Sequence, residues 1–215
     1  MASKPFTPNA MISRDRAKKK AIEICEALKP YVEVINIAGS IRRGKFEVKD
    51  IEILCIPKMV PTGSVSLFGE DDRKLVPHAG FVKNTEGIGK VIKGSASGRY
   101  MQVEVKLEGP GAPKINVDFF FPRRDDYYRQ YAIRTGSAEY TAKVIAAAWV
   151  KLGWCGTSDG LRKREECYAK DIGGGKTKWL CVQKNPTLPP AWASEREFFD
   201  WLGVQYIPAN IRFVT

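Results

Sequence analysis

The run Asp50-Ile51-Glu52-Ile53-Leu54-Cys55-Ile56 constrains this chain more than any other stretch, because it sets two acids at i and i+2 at the head of an apolar, β-forming segment. Successive side chains of a strand point to opposite faces, so Asp50 and Glu52 share one face while Ile51 and Ile53 take the other. A sheet built on such a strand has one face packed on a core and one polar face. Ahead of it lies Gly39-Ser40-Ile41-Arg42-Arg43-Gly44-Lys45, entered from the β-rich run at 31–37. Taken alone, a Gly-Ser turn is an ordinary loop and Asp-x-Glu an ordinary solvated strand edge. Together they bring a tight turn, two arginines and two carboxylates to neighbouring strand ends.

Two carboxylates on one face are hard oxygen ligands suited to a divalent cation such as magnesium. A third is offered by Lys114-Ile-Asn-Val-Asp118-Phe-Phe-Phe-Pro122, a short hydrophobic strand with one acid in its middle. An acid buried there without a partner is costly, and either metal coordination or a hydrogen bond at a sheet edge removes that cost. Both readings of Asp118 stand at this point.

Gly39-Ser40-x-Arg42-Arg43-Gly44-Lys45, Asp50-x-Glu52 and Asp118 resemble the palm signature of the nucleotidyltransferase superfamily, and the double arginine is similar to its family X, DNA polymerase beta-like, branch. The order Phe121-Pro122, Tyr127-Tyr128, Thr135-Gly136-Ser137 also resembles that family, as does the end of the chain: Ser194-Glu195-Arg196-Glu197, Leu202-Gly203, Tyr206-Ile207-Pro208 and Arg212. Landmarks run from about Arg14 to Arg212, with the interval from Pro57 to Glu86 too divergent to match.

The resemblance implies an α+β fold: a nucleotidyltransferase palm, a mixed sheet with helices on one face, over 1–122, and a small α/β nucleotide- and DNA-binding subdomain over 123–215. It implies a magnesium-dependent, template-directed DNA polymerase adding dNTPs to a primer 3′-hydroxyl at short gaps in DNA repair. Asp50, Glu52 and Asp118 are then the catalytic metal ligands for two Mg2+ ions, with Mn2+ able to substitute. Gly39, Ser40, Arg43, Arg134, Thr135, Gly136 and Ser137 bind the nucleotide, Arg42 serves packing or a structural salt bridge, and Lys93, Arg99, Tyr140 and Lys143 meet DNA. The chain is similar in size to the minimal family X enzymes of viruses and phages, which lack the helix-hairpin-helix and lyase domain.

Three residues depart from the family pattern. Glu52 stands where an Asp is usual, and Ile133-Arg134 replace the aromatic pair before Thr-Gly-Ser, which predicts weak discrimination against ribonucleotides. The alternatives are a nucleotidyltransferase that transfers NMP to a small molecule, RNA or protein, and a non-catalytic DNA-binding module.

Charge agrees with a polyanionic partner: 35 Lys and Arg against 24 Asp and Glu give +11. No apolar run is long enough to span a membrane, and Met1 to Ala10 lacks the apolar core of a secretory signal. The five cysteines are odd in number and form no Cys-x-x-Cys pair, which points to a reducing, cytoplasmic setting, bacterial or infected-host, and away from zinc. A monomer is expected. His78 is the single histidine and reads as a surface loop residue.

Ser13 to Leu28 reads as a helix, with apolar Ala17, Ala21, Ile24 and Leu28 at helical spacing and Pro30 beyond its end. Its Lys18-Lys19-Lys20 reads as a solvated face, with a phosphate backbone as the alternative. Pro57 to Gly80 reads as an irregular insertion, followed by a helical turn over Phe81 to Glu86. Val91 to Gly94 and Arg99 to Val105 form a hairpin that pairs with the Asp118 strand. A helix with Tyr140, Val144, Ile145, Ala148 and Trp149 inward starts from Ser137. Strands follow near Trp154, Tyr168 and Trp179 to Val182, the last two joined at Gly173-Gly174-Gly175, and a capping box at Ser194 opens a final helix that buries Phe198, Trp201 and Leu202.

Overall fold

The computed structural model describes residues 11–63, 74–109 and 111–213. The protein is α+β, and its chain divides into two compact units, Met1–Arg123 and Arg124–Thr215. Among the described residues no helix is long and apolar enough to cross a membrane.

The first unit runs β1 (Ile12–Ser13), α1 (Arg14–Leu28), β2 (Val32–Ile37), α2 (Gly39–Arg42), β3 (Glu47–Val48), β4 (Asp50–Pro57), β5 (Met59–Thr62), β6 (Lys74–Pro77), α3 (Ala79–Glu86), β7 (Lys90–Gly94), β8 (Tyr100–Lys106) and β9 (Lys114–Phe120). Five strands form one sheet in the order β2-β4-β9-β8-β7. β4 and β9 run parallel and the other neighbours antiparallel, so the sheet is mixed. Strand alternation divides its side chains. Ile51, Ile53, Met101, Val103, Val117 and Phe119 point into a core with Ala17, Ala21, Ile24 and Leu28 of α1 and Phe81 of α3. Each large aliphatic or aromatic group sealed there contributes about 1.5–3 kcal/mol through the area removed from water.

The segment after β4 differs from the irregular insertion expected. Met59–Thr62 and Lys74–Pro77 pair antiparallel as a hairpin, and the part of the insertion at 64–73 lies outside the described residues. His78 is a cap and not a plain loop residue: its side chain accepts from Gly80 N at 3.0 Å, closing the first turn of α3, and its ring stacks on Tyr31 with centroids 5.5 Å apart. Lys19 and Lys20 of the lysine run pair with Glu108 and Glu23 at 2.9 and 3.0 Å.

The second unit contains α4 (Tyr127–Thr135), α5 (Ala138–Tyr140), a π-helical turn (Thr141–Ala146), α6 (Ala147–Lys151), β10 (Trp154–Thr157), β11 (Gly160–Lys163), β12 (Cys167–Asp171), β13 (Thr177–Cys181) and α7 (Glu195–Leu202). Its sheet has the order β11-β10-β13-β12, and β11 is a strand the sequence reading did not separate. The π turn explains why the inward stripe steps by five from Tyr140 to Ile145 and leaves Val144 half-buried. The Gly173-Gly174-Gly175 run, all at positive φ, forms the tip joining β12 to β13. Ser194 Oγ accepts from Glu197 N at 3.1 Å, and α7 closes on Gly203 in the left-handed region at φ 67°. Phe198, Phe199 and Leu202 are buried while Trp201 is half-buried, a correction to the inward face read from the sequence.

One ion pair holds the end of the second unit. Arg212 is fully buried and grips Glu195 with two bonds, Nη1 to Oε1 at 2.6 Å and Nη2 to Oε2 at 3.1 Å. Its Nε donates to Ile207 O at 3.0 Å, and its guanidinium lies 4.8 Å from the Phe199 ring centroid. Such a fork-to-fork pair tolerates burial because its donors and acceptors are satisfied together.

Candidate active site

The sequence puts Asp50 and Glu52 on one face of β4; the sheet then decides what stands beside them. In the parallel register Asp50 lies opposite Asn116, and Glu52 opposite Asp118. Paired residues on neighbouring strands point to the same side, so the three carboxylates share the face turned away from the α1 core. β8 continues that polar face, with Gln102 opposite Asp118 and Glu104 opposite Asn116.

The turn before β4 is pressed against this face. Ala38 N donates to Glu52 O at 2.8 Å, and Gly39 adopts φ 62° to swing the chain into α2. A Cβ on Gly39 would collide with Glu52 Oε2 and stand 2.8 Å from Glu52 Cδ, so glycine is required both by its backbone and by the carboxylate packed on it. The turn is held by Arg43 N to Gly39 O at 3.1 Å and Lys45 N to Ser40 O at 3.1 Å, with Ser40 half-buried.

Electrostatics tie the parts together. Burial holds the Arg43 guanidinium below its usual proton affinity, against the opposing pull of the nearby Glu52 and Asp50 carboxylates. Asp50 is raised above the ordinary carboxylate value, first by burial and then by Asp118, while Arg43 and Lys49 act against the rise. Two like charges and one guanidinium thus converge on a half-buried patch. Asp118 Oδ1 accepts from Tyr100 OH at 2.5 Å and from Gln102 Nε2 at 2.9 Å.

Of the two sequence readings of Asp118, the hydrogen-bonded one is the one seen, in the interior of the sheet and not at its edge, and the residue shares a face with the other acids. Among the described residues no three His, Cys, Asp or Glu side chains are grouped closely enough to hold a metal ion. Glu52 packs on the Gly39 turn and Asp118 is engaged by β8, so the carboxylates share a face without forming a closed cage. Carboxylate oxygens are hard donors, the ligand type a divalent cation takes.

The remaining expected residues fall elsewhere. Lys93 and Arg99 are exposed on β7 and the connection to β8, with Lys93 Nζ 5.9 Å from the Tyr100 ring centroid. In the second unit, Arg134 is half-buried at the end of α4, Ile133 packs on the second core, and Thr135 and Gly136 are buried. Ser137 caps α5 by accepting from Tyr140 N at 3.1 Å, and its own N donates to Arg212 O at 3.2 Å. Tyr140 is 4% exposed inside that core, which removes it from the surface set expected to meet DNA. Lys143 is exposed and pairs with Glu139 at 2.5 Å.

Tyr100, Gln102 and Asn116 are neighbours of the candidate site that the sequence reading missed. The signal was present as the alternation Tyr100, Gln102, Glu104 along β8, but only the register assigns Gln102 to Asp118. No family model matches the chain, and no curated protein is significantly similar to it.

Proposed function

We propose that the protein is a small, magnesium-dependent, template-directed DNA polymerase of the family X type, with a nucleotidyltransferase palm over the first unit. The observation that carries this reading is the parallel register that sets Glu52 beside Asp118, with Asp50 on the same face and the Gly39-Ser40 turn and Arg43 against it. Asp50, Glu52 and Asp118 would hold Mg2+ once their side chains closed on it from the face they share, and the ion would supply neutralisation of phosphate charge and a lowered pKa at the attacking 3′-hydroxyl. Arg43 and the amides of the Ser40 turn bind the nucleotide's phosphates by charge-assisted hydrogen bonds. Tyr100 and Gln102 orient Asp118 through Oδ1. The surplus of 35 basic over 24 acidic residues supports a nucleic-acid substrate over a small molecule.

The test is incorporation of labelled dNTP on gapped DNA, on single-stranded DNA, and of ATP into a metabolite pool. Extension of gapped DNA that Asp50→Asn and Asp118→Asn each reduce by at least about 1000-fold, an activation difference of about 4 kcal/mol, with DNA binding retained, is the expected result. Transfer to metabolites alone would replace the polymerase by a small-molecule nucleotidyltransferase. Near wild-type turnover in Asp118→Asn at saturating magnesium would remove Asp118 from the metal site.

A further inference from the structure

The hairpin of β12 and β13 carries a surface that the proposed chemistry does not use. Its register is Cys167 opposite Cys181, Tyr168 opposite Leu180, Ala169 opposite Trp179 and Lys170 opposite Lys178. Alternation therefore puts Tyr168, Lys170, Lys178 and Leu180 on one face of the ribbon. The other face holds Trp179, with Arg164 5.2 Å from its ring centroid, and the two cysteines, whose neighbour Cys155 is buried.

The first face is electrostatically uncompensated. Like charges directly opposite each other across two strands are destabilising, and neither Lys170 nor Lys178 has an acidic partner among the described residues. Lys176 stands exposed beside them at the tip. Asp171, the acid of the ribbon's strands, spends Oδ1 on Gly173 N at 2.8 Å. A lysine on an outer strand can serve to block edge pairing, which accounts for Lys170 on β12. It does not account for Lys178, because β13 has strands on both sides. Next to the lysines, Tyr168 is an aromatic ring left 51% exposed.

An aromatic platform beside paired, uncompensated ammonium groups is the chemistry that takes an unpaired base on the ring and its phosphates on the lysines. We infer that this face of the β12–β13 ribbon binds single-stranded nucleic acid through Tyr168, Lys170 and Lys178. Assigning that strand as the unpaired template rests on the polymerase reading; the surface itself does not.

Fluorescence anisotropy of the full chain with a labelled single-stranded oligonucleotide and with a blunt duplex tests the assignment. Lys170→Glu/Lys178→Glu is expected to weaken single-strand binding at least tenfold and to flatten the log-log salt slope by about 1.4, at about 0.7 for each of two lost phosphate contacts. Tyr168→Ala is expected to weaken it about tenfold with the slope unchanged, the signature of lost stacking. Lys83→Glu/Lys106→Glu, two exposed lysines of the first unit, makes the same change in net charge and should leave affinity within about twofold of wild type, in line with the short screening length at physiological salt.

Equal losses in the two double variants would reduce the effect to bulk charge and overturn the inference, as would unchanged binding in the ribbon variants. An equal loss on duplex would overturn the single-strand assignment. Gap filling measured on the same preparations separates the two ideas: extension with ribbon-independent binding removes the ribbon and leaves the polymerase, while ribbon-dependent binding without extension does the reverse.

Discussion

Gly39 and Asp50 are two residues whose neighbours leave little latitude. At φ 62°, alanine at Gly39 meets a backbone cost of about 1–2 kcal/mol, and its methyl group must push the Glu52 carboxylate away from the turn. Gly39→Ala is therefore expected to lower melting temperature and to cut nucleotidyl transfer by more than the stability loss accounts for, measured at a temperature where the variant remains folded. Unchanged transfer would show that Glu52 does not need its place against the turn. Asp50 behaves differently, because burial and Asp118 raise its proton affinity above the ordinary value of 3.8. The folded chain then binds that proton more tightly than the unfolded chain, so the stabilising contribution is present at low pH and lost as pH rises through the folded value. Asp50→Asn should consequently be more heat-stable than wild type at pH 7, with the advantage vanishing below about pH 4, where the carboxyl is protonated in both states. Melting curves across that window would refute the argument if the variant were the less stable at neutral pH.

Elements differ in how far the sequence announces them. The Asp50-Glu52 strand was legible because a period of two is written directly in its side chains, and α1 because Ala17, Ala21, Ile24 and Leu28 repeat at helical spacing. The partnership of Glu52 with Asp118 was not, since register between strands distant in sequence is set by the whole sheet. Nor did local pattern separate a continuous helix from one with a π turn at Thr141–Ala146, or show that His78 would fold back onto Gly80. In the second unit the capping serine of α7 was visible, but the depth at which Arg212 meets Glu195 was not. That pair makes a strong expectation at this scale. Glu195→Ala leaves a buried guanidinium without its carboxylate, and the loss should be about 3–5 kcal/mol by urea denaturation. A loss below about 1 kcal/mol, the range of an exposed pair, would mean that water reaches Arg212 in solution.

At the scale of the whole molecule, a charge of +11 makes the proposed binding of nucleic acid a matter of counterions. Affinity for gapped duplex DNA should fall with a log-log salt slope of about −0.9 for each phosphate neutralised, several units in all. A flat titration would leave the basic surplus without that partner. The parallel pairing of β4 with β9 has a further consequence, in time. Residues 50 and 118 are separated by 118 − 50 = 68 positions, yet β9 is the strand that covers the β4 side opposite β2. At about 5–20 residues per second, a ribosome takes roughly 3–14 s to deliver the second after the first. Throughout that interval Ile51, Ile53 and the open hydrogen-bonding edge of β4 await their neighbour, and an open edge is a template for pairing with another chain. A chain stalled before Lys114 thus keeps the β9-facing edge of β4 open to another chain and lacks Asp118 beside Glu52.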